Sequence, residues 1–385
     1  MMAETEPRVG YVANSGGRGT LDLVWVCLVT IALCTWTVQR PNVVPFTKQR
    51  FPALARKRLF WMTLTVFCPE YVTYIAIDQW RNARKYKEIQ NLGHPDFTIK
   101  QGFYVTMEGL IVRTYDNVSV SGGEKHDSTE RGVPQDQKIY MDDLIILVRE
   151  KILEPPHVSL QSFEERSKTD NFARFITIIH VGIFIISTIG RLASGLPISL
   201  LEVGTLAFVS CAACIEFFWW NKPLDLRTST VIELVTEKAQ EFRNKSEVLP
   251  LCPSEQTLGE LADYSLFWRR MVEDPHSARR AVHIAWVGCI FNCIHIVAWN
   301  ASFPTKTECW IWRIASIVAA VTILCQWLVL FMTSHRLAMT LLFAVLSPIY
   351  LAARMYLIVE ACIALRNVQK SIYDCPGWQN AMPFL

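Results

Sequence analysis

Apolar residues in this chain arrive in blocks long enough to cross a bilayer, and no other feature restricts the fold as much. A membrane-spanning helix needs about 20 predominantly apolar residues in a row. Seven stretches qualify: 21–38, 59–77, 175–193, 198–220, 281–299, 311–332 and 337–365. A helix satisfies its own backbone hydrogen bonds in lipid, which loops and open strands do not. The blocks lack the strict alternation of a membrane β-barrel. The expected fold is therefore an all-α integral membrane protein, a single domain over 1–385 built as a bundle of about seven helices. Block 21–38 follows Gly16-Gly17-Arg18-Gly19 with no small-residue cleavage site after it, so it reads as a retained helix.

Composition agrees. Hydrophobic residues make up 51% and charged residues 19%, against about 25% charged in soluble domains. Lys and Arg number 38 against 35 Asp and Glu, too even a balance to suggest a nucleic-acid partner. Nine of the 12 cysteines fall in the apolar blocks, where they behave as small hydrophobes. Cys252, Cys309 and Cys375 lie in polar segments, and their spacing demands no disulfide. Cys211-x-x-Cys214 has no partner pair, so it reads as packing, not as a metal or redox site.

Two polar regions separate the blocks. Region 78–174 contains β-like runs at 103–105 and 110–112, a Ser/Gly/charged patch at 119–132 and an amphipathic helix near 141–153. Region 221–280 reads as two helices. One covers about 229–243, and the other starts at the capping box Thr257-x-x-Glu260. Seven spans would put the N-terminus and both polar regions on one side. Their lysines and arginines make that side cytosolic and the C-terminus lumenal. The sequons at Asn117 and Asn244 would then escape glycosylation, and that at Asn300 would face the lumen.

Ionisable groups inside apolar blocks are expensive and so mark candidate sites. Glu70 follows Pro69 in the middle of the second block, with Tyr74 one turn on. Proline also frees a backbone carbonyl there. Glu202 and Glu216 point the same way on the fourth block, about 21 Å apart along its axis. Glu216 precedes an aromatic run, Phe217-Phe218-Trp219-Trp220. Gly288, Asn292, His295 and Trp299 form one stripe of the fifth block, facing other helices. Arg354, four residues after Tyr350, is expected to pair with a buried glutamate. No P-loop, dinucleotide fingerprint, HExxH zinc motif or GxSxG elbow occurs. The sequence implies no cofactor and no metal.

The stretches Arg18-Gly-Thr-Leu-Asp-Leu-Val-Trp25, Cys34-Thr-Trp36, Pro69-Glu70, Phe103-Tyr-Val-Thr-Met-Glu-Gly109 and Trp219-Trp-Asn-Lys-Pro-Leu-Asp225 resemble a set of fungal multi-span membrane proteins. Some of these are similar to the membrane-bound terpene cyclases of meroterpenoid biosynthesis, the ascofuranone and macrophorin type. Members often read Met-Gly-Gly where this chain reads Met107-Glu108-Gly109. The resemblance implies an enzyme of the endoplasmic reticulum that takes a farnesylated aromatic or quinone-like substrate from the bilayer. Such an enzyme protonates the terminal epoxide or olefin and lets the chain close into rings. A buried Glu suits that step, because burial can lift a carboxyl by up to about 3–5 units from its free value near 4.3. Trp and Phe faces suit the carbocation. On these grounds Glu70 and Glu216 are the candidate acids. Trp219, Trp220, Tyr74, Asn292, His295 and Arg354 are the candidate cavity wall. A transporter or receptor-like protein is the alternative, although no paired repeat is evident.

Overall fold

The structure, a computed structural model, describes residues 6–13, 18–40, 42, 51–115, 134–156, 160–223, 229–234, 238–242, 288–332 and 336–375. The chain forms a helical bundle carrying a small α/β subdomain at one end. The bundle helices are α1 (Thr20–Thr37), α2 (Phe51–Phe67) and α3 (Pro69–Ala83), then α7 (Leu160–Ala193), α8 (Leu200–Phe218) and α9 (Gly288–Asn300), then α10 (Lys306–Met332) and α11 (Arg336–Ile363). Five of them contain segments long and apolar enough to cross a membrane: Thr20–Thr37, Phe172–Ala193, Leu200–Phe218, Lys306–Gln326 and Leu341–Arg366. Their outer faces carry large apolar side chains, among them Phe175, Ile178, Ile189, Leu341 and Val345. Water would penalise such a continuous apolar ring, and lipid does not. The protein is a helical membrane protein.

The second expected span is not one helix. Cys68 leaves helical geometry (φ −136°, ψ 60°), and Pro69 opens α3 instead of kinking α2. Proline has no N–H to give, so it fits the first turn of a new helix. The two halves meet at a bend of 111°. The ion pairs show where the chain goes next. One end of the bundle holds Arg18–Glu202 (2.5 Å), the Arg8 guanidinium on the Phe303 carbonyl (2.7 Å), and Arg366 with Glu308. The opposite end holds Arg40–Glu216 (2.6 Å), Arg174–Glu216 (2.9 Å), Lys222 on Gln79 (2.8 Å) and the Trp80–Phe218 ring pair. Arg58, where the apolar half of α2 begins, stacks on Trp36 at that opposite end, and Trp80 near the close of α3 returns there. The pair α2–α3 is therefore a hairpin that enters the bundle and leaves by the same end.

This overturns the expected placement of the termini. Strand β1 (Arg8–Val9), before α1, pairs antiparallel with β5 (Val368–Gln369), after α11. The segments just before α1 and just after α11 thus lie together at the first end, and the described parts of the polar regions lie at the other. An odd number of crossings cannot produce this arrangement. The sequence misleads because a hydropathy window sees apolar length and not the direction a chain takes after a proline. The fifth expected span is described only from Gly288 onward, and 281–287 lie outside the described residues.

The subdomain is built from α4 (Tyr86–Asn91), α5 (Ile99–Thr106), β2 (Leu110–Tyr115), β3 (Pro134–Lys138), α6 (Met141–Arg149) and β4 (Thr230–Glu233). The sheet order is β3-β2-β4, with Val112 facing Gln137 in the antiparallel pair and Ile232 in the parallel one. Ile89, Phe97, Val105, Leu110, Ile139, Leu144 and Phe242 form its own core. Two expectations fail here. Run 103–105 is helical, because Thr98 and Gln101 form a capping box that starts α5. The expected helix over 229–243 begins as β4, where β-branched Val231 and Ile232 pair with β2, and turns helical only at 238–242. The expected helix starting at Thr257 and the patch at 119–132 lie outside the described residues, as do the sequons at Asn117 and Asn244. On the sheet, Arg113 forks onto Asp136 (2.6 and 2.8 Å) and holds that carboxyl below the usual range. Glu108 adopts φ 65°, the left-handed region that favours glycine. Its carboxylate takes Lys138 (2.5 Å) and the Tyr140 hydroxyl (3.3 Å). A glycine in this place would relieve the backbone and forfeit both contacts.

Gly102 joins subdomain to bundle. A Cβ there would lie 2.5 Å from the carbonyl oxygen of Ala83, the last residue of α3. Gly102→Ala should therefore separate α5 from α3 and cost about 1–3 kcal/mol. Gly182→Ala on α7 meets nothing within 4 Å. It should be neutral or slightly stabilising, because alanine is the better helix former. Thermal unfolding in detergent measures both. Equal stability of the two variants would show that the α3–α5 contact tolerates a methyl group.

Candidate functional site

The break before α3 places Glu70 in the interior, 3% exposed, in the first helical turn. The first N–H groups of a helix lack intrahelical acceptors, so the backbone beside this carboxyl is itself polar. The Tyr350 hydroxyl of α11 donates to Glu70 Oε1, while Oε2 has no protein partner. Gly288 of α9 lies beside the side-chain stem: a Cβ built there would be 3.5 Å from Glu70 Cβ and 2.9 Å from Ile323 Cγ2. Only glycine lets α9, α10 and the Glu70 stem come this close.

One turn along α9, Asn292 is fully buried, and its amide donates to the Gly288 carbonyl (2.8 Å). His295 follows, 3% exposed, with its Nε2 at 3.0 Å from Arg354 NH1. Arginine only donates, so Nε2 accepts and the ring proton sits on Nδ1. The Arg354 guanidinium, on a residue 2% exposed, also stacks on Phe291 at 4.6 Å. The Trp312 indole donates to the His295 carbonyl (3.2 Å), locking α10 to α9. Arg354 is close enough to act on Glu70 electrostatically, but its hydrogen bond goes to His295, not to the expected glutamate. Glu70 Oε2, Asn292 Oδ1 and Arg354 Nε make no hydrogen bond with the protein. Buried polar atoms are usually satisfied, so these are places where a ligand or water would be received, although Arg40, Glu216 and Trp219 carry such atoms at the other end of the bundle as well. Tyr74 is buried in the same bundle core, one turn after Glu70 on α3.

The structure thus brings together Glu70, Asn292, His295 and Arg354 from the expected site. It separates Glu216, Trp219 and Trp220 from them. Glu216 Oε1 takes both Arg40 (2.6 Å) and Arg174 (2.9 Å) at the end of the bundle that carries the subdomain. It is an ion-pair partner that ties α7, α8 and the segment after α1 together. Trp219 is buried beneath Lys222 Nζ (4.1 Å), whereas Trp220 is 57% exposed with Arg174 over its ring (5.6 Å). Trp219 caps α8 and Trp220 lies in the turn after it, so one side chain enters the bundle and the other stays outside. The expected aromatic wall is therefore an interfacial belt. Glu202 caps its own helix through Ser199 and pairs with Arg18.

Sequence reasoning passed over three groups. Tyr350 served only as a spacing landmark, yet it is the hydrogen-bond partner of Glu70. His180 on α7 shares a 3.0 Å hydrogen bond with Thr30 on α1. Arg191, fully buried, donates to the carbonyls of Pro197, Ser371, Ile372 and Asp374. The signal for the last two was present, since each is an ionisable residue within the third apolar block. Cys309 and Cys375 are free thiols, as are Cys211 and Cys214. Among the described residues no three metal-ligating side chains converge.

No curated protein and no solved structure matches the chain. A family profile does, over residues 1–263 of 385, and it includes the hairpin with Glu70 and the ion pairs of Glu216. The chain belongs to that family, described as a family of unknown function, DUF8562.

Proposed function

We propose that the chain is a membrane-bound terpene cyclase of the type its sequence resembles. Glu70, in its protonated form, gives its proton to the terminal epoxide or olefin of a farnesyl chain carried on an aromatic or quinone-like head. The polyene closes, the last cation loses a proton, and the product is an isomer of the substrate. The observation that supports this reading is the burial of Glu70 at the hairpin break with one oxygen unpartnered. After transfer the carboxylate keeps the Tyr350 hydroxyl as a donor and sits in the N-terminal turn of α3. A prenylated substrate dissolves in the bilayer and reaches such a site from the lipid side.

The test is direct. Washed membranes carrying the protein should convert a farnesylated phenol, or its terminal epoxide, to a cyclic isomer of unchanged mass without added metal or nucleotide. Conversion abolished by EDTA and restored by Mg²⁺ would favour diphosphate chemistry instead.

A second reading is a transporter. The discontinuity between α2 and α3, placed inside the bundle beside ionisable groups, favours it, because broken helices often form transporter sites. Net movement of a prenylated phenol into sealed proteoliposomes, with no isomer formed, would identify it.

Either reading acts in a bilayer of defined orientation. The end carrying the subdomain holds Arg40, Arg84, Arg174 and Lys222, with Lys85 and Lys138 on the subdomain itself, against Arg8, Arg18 and Arg366 at the opposite end. On the positive-inside rule the subdomain end is the cytosolic one, and on the resemblance the membrane is that of the endoplasmic reticulum. Reporters fused to the two termini should then both read lumenal. Reporters on opposite sides would contradict the β1–β5 pairing.

A further inference from the structure

We infer that Tyr350 is the positioning residue of the acid: it fixes the transferable proton of Glu70 on Oε2 and sets the face from which substrate is protonated. This rests on Glu70 being the proton donor proposed above. The two carboxyl oxygens are not equivalent. Oε1 accepts the hydrogen bond from the Tyr350 hydroxyl, and Oε2 has no protein partner. In a neutral carboxyl group the carbonyl oxygen is the better acceptor and the hydroxyl oxygen the donor. A phenol that donates to Oε1 therefore makes Oε1 the carbonyl and leaves the proton on Oε2.

The stem is fixed as well. Gly288 packs beside Glu70 Cβ and Cγ, and Thr73 on the same helix turns its hydroxyl away to the Pro69 carbonyl (2.9 Å). Exchange of Oε1 and Oε2 would break the Tyr350 bond inside a buried site, where an unmade hydrogen bond is costly. When the proton leaves, the Oε2–H bond breaks and a new bond forms to the substrate carbon or oxygen. The resulting carboxylate keeps its bond from Tyr350. The proton released from the last cation, or one from solvent, restores the acid.

Infrared spectroscopy of the full-length protein in lipid nanodiscs reads this without substrate. Spectra in H₂O and D₂O should show the carbonyl stretch of a buried neutral carboxyl that Glu70→Gln removes. Tyr350→Phe keeps the ring and deletes the donor, so the stretch should move to higher frequency. Site-specific 3-fluorotyrosine at position 350, a stronger donor, should move it to lower frequency, and this variant keeps the question open to test if Tyr350→Phe fails to fold. A purely structural tyrosine would give neither opposed shift. A Glu70 band that stays in place in both variants, or the absence of any Glu70 band in the native protein, would overturn the inference. The cyclase reading fails separately, if Glu70→Gln still forms the cyclic isomer while these band shifts stand.

Discussion

Glu70→Gln is expected to leave a folded, normally inserted protein whose turnover is lower by about two to four orders of magnitude, the range assigned to a positioned general acid. Gln keeps the shape and still accepts the Tyr350 hydrogen bond, but it has no proton to transfer. Glu216→Gln should behave in the opposite way. It removes the negative charge facing Arg40, whose side chain is fully buried, and Arg174, but the amide oxygen still accepts and Arg40 keeps its bond to the Lys222 carbonyl (3.1 Å). Turning these charge-assisted bonds into neutral ones costs about 1–2 kcal/mol, so protein level should fall modestly while turnover per molecule survives. Immunoblot and turnover, measured together, separate the two outcomes. Near-native turnover in Glu70→Gln would mean that the proton comes from elsewhere.

Arg191→Ala should be the most damaging substitution outside the site. The guanidinium gathers four carbonyl oxygens at 2.7–3.2 Å, three from the segment after α11 and one from the turn between α7 and α8. A hydrogen bond to a charged group contributes about 1.5–3 kcal/mol. Even with strong non-additivity the loss should exceed about 3 kcal/mol and abolish accumulation of folded protein. Arg191→Lys should rescue only in part, because an ammonium offers no planar fork to span several acceptors. Fluorescence-detected gel filtration measures both variants. A native elution profile for Arg191→Ala would show that other contacts carry this end of the bundle.

What the sequence reveals here follows from what each pattern reports. Apolar length located the helices of five spans closely, because bilayer thickness fixes that length for any chain. The 3.6-residue period placed Gly288, Asn292 and His295 on one inward stripe, and the structure puts all three in the buried cluster. Neither pattern carries the direction of the chain, so the return of α3 after Pro69 was hidden. The opposed termini followed from reading the second block as one crossing. Partners across helices were hidden as well. Arg354 was expected to meet a glutamate, but which of several inward groups it reaches depends on rotation and depth, and it meets His295. In Trp219-Trp220 composition suggested one aromatic surface, while the turn that ends α8 sends the two rings to different environments.

Joining the first and last strands gives synthesis a timetable. Strand β1 leaves the ribosome early, but its partner β5 is made some 360 residues later. Thr20 and Tyr373 (3.0 Å), Ser371 and Glu6 (2.8 Å), and Lys370 and Pro7 (3.1 Å) span similar separations. Contacts of such sequence separation form late, after the helices between them are in place. The N-terminal segment must therefore wait, unpaired, until α11 has inserted. A chain stalled or cut short before Val368 leaves the Arg8–Val9 strand without its partner.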